Sequence, residues 1–194
     1  MILALEIFGT LFALLGVWLT ARQNNACWAI GMIAVVIYIY LFFQSQLYGD
    51  SALQVCYLMM SAYGWRRWVS RKKENPFLKL SHIDFDTFVV TTLIGAIATI
   101  TFAYFLQLTD SNMVWFDAAT TAFSLITTWM MARKIVESWL YWIVIDTVYV
   151  GMLSYKGLYV TGFQYFIFTL LAIYGFHTWR KECFFSCTAP IKNN

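Results

Sequence analysis

The sequence predicts an all-α integral membrane protein of seven transmembrane helices, arranged as two parallel three-helix repeats joined by one extra helix. Three observations carry this. Of 194 residues, 61% are hydrophobic and only 12% charged, with a mean hydropathy of +0.65. A soluble domain is nearer about 45–50% apolar and about 25% charged. Lys and Arg fall almost wholly in alternate loops, and the chain matches itself at one offset of 111 residues. With 2 Pro, 10 Gly and 4 Cys, neither disorder nor a disulfide scaffold fits.

Apolar runs place the spans at residues 2–20, 27–43, 51–68, 86–106, 114–132, 138–154 and 160–178. The first is broken only by Glu6, and the second carries no charge. The third follows Asp50 and ends on Arg66 and Arg67. The fourth begins at Asp86, after the one long connection, Arg71 to Asp86, which is the expected hinge between halves. The fifth and sixth each hold a single acid, Asp117 and Asp146, and the seventh holds none. No basic residue precedes the first run, so no secretory signal is expected.

Charge placement then sets orientation. Arg22, the Arg66–Lys79 group, Arg133, Lys134, Arg180, Lys181 and Lys192 all fall in one set of loops, and the opposite set holds only Lys156. By the positive-inside rule the N-terminus is outside and the C-terminus cytosolic. The basic residues are read as topogenic, with lipid as their neighbour and no nucleic acid as partner.

The offset of 111 pairs Trp18 with Trp129, Arg22 with Arg133, Trp28 with Trp139, Tyr38 with Tyr149, and Tyr63-Gly64 with Tyr174-Gly175. It also pairs Trp68 with Trp179. Thirteen of sixty-three positions over residues 6–68 are identical, three of them tryptophans. The expected units are 1–68, a first repeat; 69–113, a loop and linker helix; 114–180, a second repeat; and 181–194, a tail. An odd linker helix makes the repeats parallel, the arrangement of SWEET-type transporters.

Polar residues within spans mark a cavity or a helix interface. Asp50, Gln54, Tyr57 and Ser61 share one face of span three, and Trp142, Asp146 and Tyr149 one face of span six. Span seven shows Thr161, Gln164, Tyr165 and Phe168, and span five a stripe from Asp117 through Thr128. Asp146 stands out, because a charge at mid-bilayer costs roughly 2.5–3.5 kcal/mol on insertion scales. No Lys or Arg sits at its depth. An acid, an amide and several rings suit a small flat cation with a polar appendage. Asp117 and its repeat-mate Glu6 sit nearer the outer surface, where they either flank an entrance or simply hydrate at the interface. Trp28, Trp68, Trp115, Trp139 and Trp179 read as interfacial belt residues. His82 and His177 lie far apart, and Cys183 and Cys187 have no further ligand nearby. Neither a metal site, nor a cofactor, nor an enzyme centre is expected.

Three stretches, Phe42–Trp68, Trp115–Asp146 and Lys156–Trp179, resemble the PnuC family of bacterial vitamin transporters, with similarity over nearly the whole chain. The resemblance implies a SWEET-like fold, a homotrimer, and uncoupled import of a vitamin precursor such as nicotinamide riboside across the inner membrane. A cytosolic kinase would then trap the substrate by phosphorylation. Thiamine and riboflavin are the alternative substrates in the family. The expected binding residues are Gln54, Tyr57, Asp117, Trp142, Asp146, Tyr149, Gln164 and Tyr165, of which the resemblance itself points to Gln54, Trp142 and Asp146 and the helical faces supply the rest. The W-x-x-x-N motif of the nicotinamide riboside carriers falls on Trp142–Asp146, where this chain has Asp.

Overall fold

The computed structural model describes residues 2–44, 48–74, 80–107, 113–155 and 157–188. They form seven helices: α1 (Ile2–Ala21), α2 (Ala26–Gln44), α3 (Tyr48–Glu74), α4 (Phe85–Leu106), α5 (Val114–Ala132), α6 (Ser138–Tyr155) and α7 (Tyr159–Thr188). In a bilayer every backbone N–H and C=O must be paired internally, and continuous helices satisfy that without water. Four of them, α1, α2, α4 and α7, are long and apolar enough to cross a membrane on composition alone. Of the other three, α3 carries the basic run from Arg66 to Glu74, while α5 and α6 carry hydroxyls and acids, of which Thr120, Ser124, Thr127, Ser138 and Asp146 are buried.

Two helices outrun their expected spans. α3 continues through the basic run to Glu74, so the long connection starts as helix. Nothing in Arg66–Glu74 breaks a helix until Asn75-Pro76, where the proline disfavours helical geometry in the residue before it. α7 likewise continues to Thr188.

Six helices close a ring, each packed on its neighbours in the order α1, α2, α3, α5, α6, α7 and back to α1. α4 stands outside and, among the described helices, packs on α5 alone. Gly95 permits this close approach, since a Cβ there would lie 2.7 Å from the Phe123 ring. The ring has the two-fold relation the repeat requires. The α1·α7 junction corresponds to α5·α3, and the C-terminal ends of α1, α3, α5 and α7 all meet at one end.

That basic end is built twice over. α1 and α5 each end in a Schellman motif, with Asn24 N–H to Leu19 O (2.9 Å) matching Ile135 N–H to Met130 O (3.1 Å). Gln23 (φ 53°) and Lys134 (φ 59°) take the left-handed conformation there. Trp28 meets Trp68 edge-on at 5.5 Å, and Trp139 meets Trp179 edge-on at 5.4 Å. Trp68 Nε1 donates to Ala132 O (3.2 Å) and Trp179 Nε1 to Ala21 O (3.1 Å), so each repeat is bonded to the other's helix end. All four rings are buried. They are therefore not belt residues, whereas Trp115 is 58% exposed as a belt residue would be. The reason is Gly64 and Gly175: a Cβ at either would strike the Trp28 or Trp139 ring at 2.4 and 2.6 Å.

Between α3 and α4, residues 80–83 are fastened. Ser81 bridges to Ile135, Glu137 accepts from Ile83 N–H (2.8 Å) and pairs with His82 (2.7 Å), and the Cys183 thiol reaches Leu80 O. Residues 75–79 of the expected hinge lie outside the described residues. Asp84 caps α4 by accepting the Thr87 N–H at 3.0 Å, which holds its carboxyl below the ordinary carboxylate value.

Candidate functional site

The ring encloses a cavity of about 490 Å³, within the range of about 300–1,000 Å³ usual for small-ligand sites. Its lining runs from Asp50, exposed near the start of α3, down to Trp28 and Trp139, buried at the basic end. The tryptophan cluster forms the floor. Lys134 lies across it, its Nζ 4.6 Å from the Trp68 ring centre and bonded to Gln23 Oε1 at 2.7 Å. Gln23 in turn donates to Glu182.

Each wall is one helical face. α3 presents Asp50, Gln54, Tyr57 and Ser61; α6 presents Trp139, Trp142, Asp146 and Tyr149; α7 presents Tyr165, Phe168 and Ala172. α2 offers Trp28, Gly31, Val35, Tyr38 and Phe42, with Ser124 and Thr128 from α5. The stripes follow the 3.6-residue period, which is why these residue types recur at three and four.

Tyr149 and Tyr165 stack at 4.6 Å with 27° between planes, and Phe168 meets Tyr165 edge-on at 5.8 Å. These rings give one flat aromatic side. Asp146 is 5% exposed, and no described residue donates a hydrogen bond to it or pairs a charge with it. A buried carboxylate without a protein partner is costly unless something in the cavity meets it. Of the α5 hydroxyls lining the same cavity, Ser124 is buried, while Thr128 turns back to its own helix, bonding to Ser124 O at 2.8 Å.

Six of the eight residues expected from sequence line this one cavity: Gln54, Tyr57, Trp142, Asp146, Tyr149 and Tyr165. Asp117 and Gln164 do not line it. Asp117 sits in the first turn of α5. Gln164, one position off the α7 stripe, accepts a hydrogen bond from Thr10 at 3.4 Å, and Thr10 in turn meets the Tyr38 hydroxyl at 3.1 Å. Gly31, Val35 and Cys27 line the cavity without having been expected to. The repeat is the signal that finds two of them, because Gly31 and Val35 are the repeat-mates of Trp142 and Asp146.

Among known proteins, the family described as "Nicotinamide mononucleotide transporter" matches residues 3–181. The chain belongs to that family. It is 26% identical to the nicotinamide riboside transporter PnuC of Escherichia coli (strain K12), over 90% of this chain and 84% of that protein. It is 23% identical to the riboflavin/roseoflavin transporter RibM of Streptomyces davaonensis, over 90% and 83%. A crystal structure of the vitamin B3 transporter PnuC superposes with a TM-score of 0.75 at 17% identity, covering 92% of this chain and 81% of that one. At that identity the likeness speaks for the fold. This member of the PnuC family is thus a multi-pass membrane protein related to transporters, and not an enzyme.

Proposed function

We propose that this protein imports nicotinamide riboside, a cationic pyridine nucleoside, across the bacterial inner membrane. The observation that carries the reading is Asp146, a buried carboxylate facing the cavity, one helical turn from Trp142 on α6. A pyridinium placed between Trp142 and the Tyr149–Tyr165 stack gains both a cation–π and an ionic contact. Gln54 on the facing helix offers an amide for the carboxamide or the sugar. The basic end, with Arg22, Arg133 and Lys134, faces the cytosol, and the N-terminus lies outside. Transport is uncoupled facilitated diffusion, the substrate being held inside by cytosolic phosphorylation, and the protein works as a homotrimer.

Thiamine is the second reading, favoured by one observation. Asp146 stands where the nicotinamide riboside carriers have Asn, and a carboxylate serves a thiazolium equally well. Riboflavin is neutral and gains nothing from Asp146. A non-transporting membrane subunit would leave the cavity and its acid without a role.

Calorimetric titration of the purified protein with nicotinamide riboside, thiamine and riboflavin tests this. Nicotinamide riboside is expected to bind most tightly. Tighter thiamine binding moves the substrate, and no binding of any of the three ends the proposal. Asp146→Asn should weaken a cation about tenfold more than a neutral analogue, one lost charged contact being worth about 1.5–3 kcal/mol. Equal losses would reduce Asp146 to a hydrogen-bonding group. Uptake into proteoliposomes should ignore an imposed proton gradient.

A further inference from the structure

Above the tryptophan floor, the walls of the cavity are lined by repeat-related pairs that have diverged. Tyr38 matches Tyr149, but Trp142 is matched by Gly31, Asp146 by Val35, and Tyr165 and Phe168 by Gln54 and Tyr57. The largest difference in volume within any pair is the one between Trp142 and Gly31.

Glycine in the middle of a helix is normally a liability, since alanine is more favourable there. In membrane helices it is often kept because a neighbouring backbone or ring needs the space. Gly64 and Gly175 are of that kind, with a tryptophan ring where the Cβ would be. Gly31 is not. A Cβ on Gly31 would meet nothing within 4 Å, although Gly16 of α1 packs against its backbone. Position 31 lies in the middle of the α2 stripe that lines the cavity, three residues after Trp28 and four before Val35. Packing therefore does not demand glycine here.

We infer that Gly31 is a specificity-determining position, keeping open the part of the cavity across the repeat axis from Trp142. It receives the bulky polar appendage of the ligand whose flat cationic ring Trp142 and Asp146 hold. Trp142 fills its side of the ring and Gly31 leaves the other side empty, which turns a two-fold symmetric chamber into a slot with one stacking wall and one recess. A larger side chain at 31 shortens the ligand that fits. The inference rests on the ligand class proposed above.

The test has two arms. Gly31→Cys, in a chain whose four native cysteines are replaced by Ser, is treated with a small cationic methanethiosulfonate. The introduced thiol should react from the Asp50 side, and saturating nicotinamide riboside should slow the reaction. An unreactive thiol overturns the inference. In the second arm, Gly31→Ala should weaken nicotinamide riboside about threefold to tenfold and Gly31→Leu more than tenfold. The N-methylated nicotinamide cation, which lacks the sugar, should bind both variants as it binds the parent. Thermal melting should be no lower for Gly31→Ala than for the parent, which separates lost space from lost fold. Unchanged nicotinamide riboside affinity in Gly31→Leu, or equal loss of both ligands, overturns the inference. If the parent binds no nicotinamide riboside, the substrate reading fails by itself, and the reactivity of the introduced thiol still decides whether position 31 faces the cavity.

Discussion

The basic end of the ring and the cavity above it are made from the same two repeats, yet they have kept opposite things. At the basic end the duplicated parts match: two Schellman turns, two edge-on tryptophan pairs, two glycines under tryptophan rings and two indole bonds across the repeat boundary. Along the cavity walls most pairs differ. Closing a ring by packing two like units rewards likeness, because each contact is used twice. Holding one small asymmetric molecule rewards difference. The two-fold axis thus describes the scaffold and not the site.

The comparison breaks most visibly through Trp142. Trp142→Ala should abolish measurable ligand binding, a loss of about a hundredfold or more, while the protein stays folded; the ring also packs against the buried core, so the melting temperature should fall as well. Unchanged affinity would place the ring elsewhere. Next come Gly64→Ala and Gly175→Ala. Each drives a Cβ into a tryptophan ring at 2.4 or 2.6 Å, and overpacking of this kind costs about 1–3 kcal/mol. Denaturation in detergent should show equal destabilisation, and a clear inequality would mean the two halves carry unlike loads.

Trp68→Phe and Trp179→Phe are gentler, removing the indole N–H that Trp68 gives to Ala132 O and that Trp179 shares between Ala21 O and Thr20 O, about 0.5–1.5 kcal/mol each. Their rings are 6.2 Å apart, so the double variant should lose less or more than the sum, as touching residues do. The smallest effect belongs to Asp84. Its folded carboxyl lies below its usual value of 3.8 because it caps Thr87. The stability it adds is therefore present above about pH 4 and fades as pH falls through the folded value. Asp84→Ala should melt below the parent at about pH 6, and the gap should close towards about pH 2.

Much of this was legible in the sequence. The seven helices follow from apolar length, and the two three-helix repeats from thirteen matched positions. Asp146 was legible because a lone acid deep in a span is costly, and a cavity is where that cost can be met. The tryptophans were misread for a physical reason. A tryptophan at the end of an apolar run looks the same whether it meets lipid headgroups or another tryptophan. What separates the cases is the small residue that makes room, Gly64 for Trp28 and Gly175 for Trp139, and that glycine lies on a different helix. Gln164 and Asp117 lie off the cavity lining for a different reason. A helical stripe covers a width, and residues at its edge, such as Gln164 beside Tyr165, are turned to a neighbouring helix. Gly31 was silent because a missing side chain leaves no pattern until its repeat-mate is seen.

Gln23 and Lys134 occupy the same position in the two repeats, and they touch. In an unfused pair of identical three-helix chains, whatever stood there would meet itself across the axis, and two lysines would repel. Joining the halves in one polypeptide freed that position to become a donor on one side and an acceptor on the other. Fusion through α4 thus gave each half the liberty to mutate without its twin.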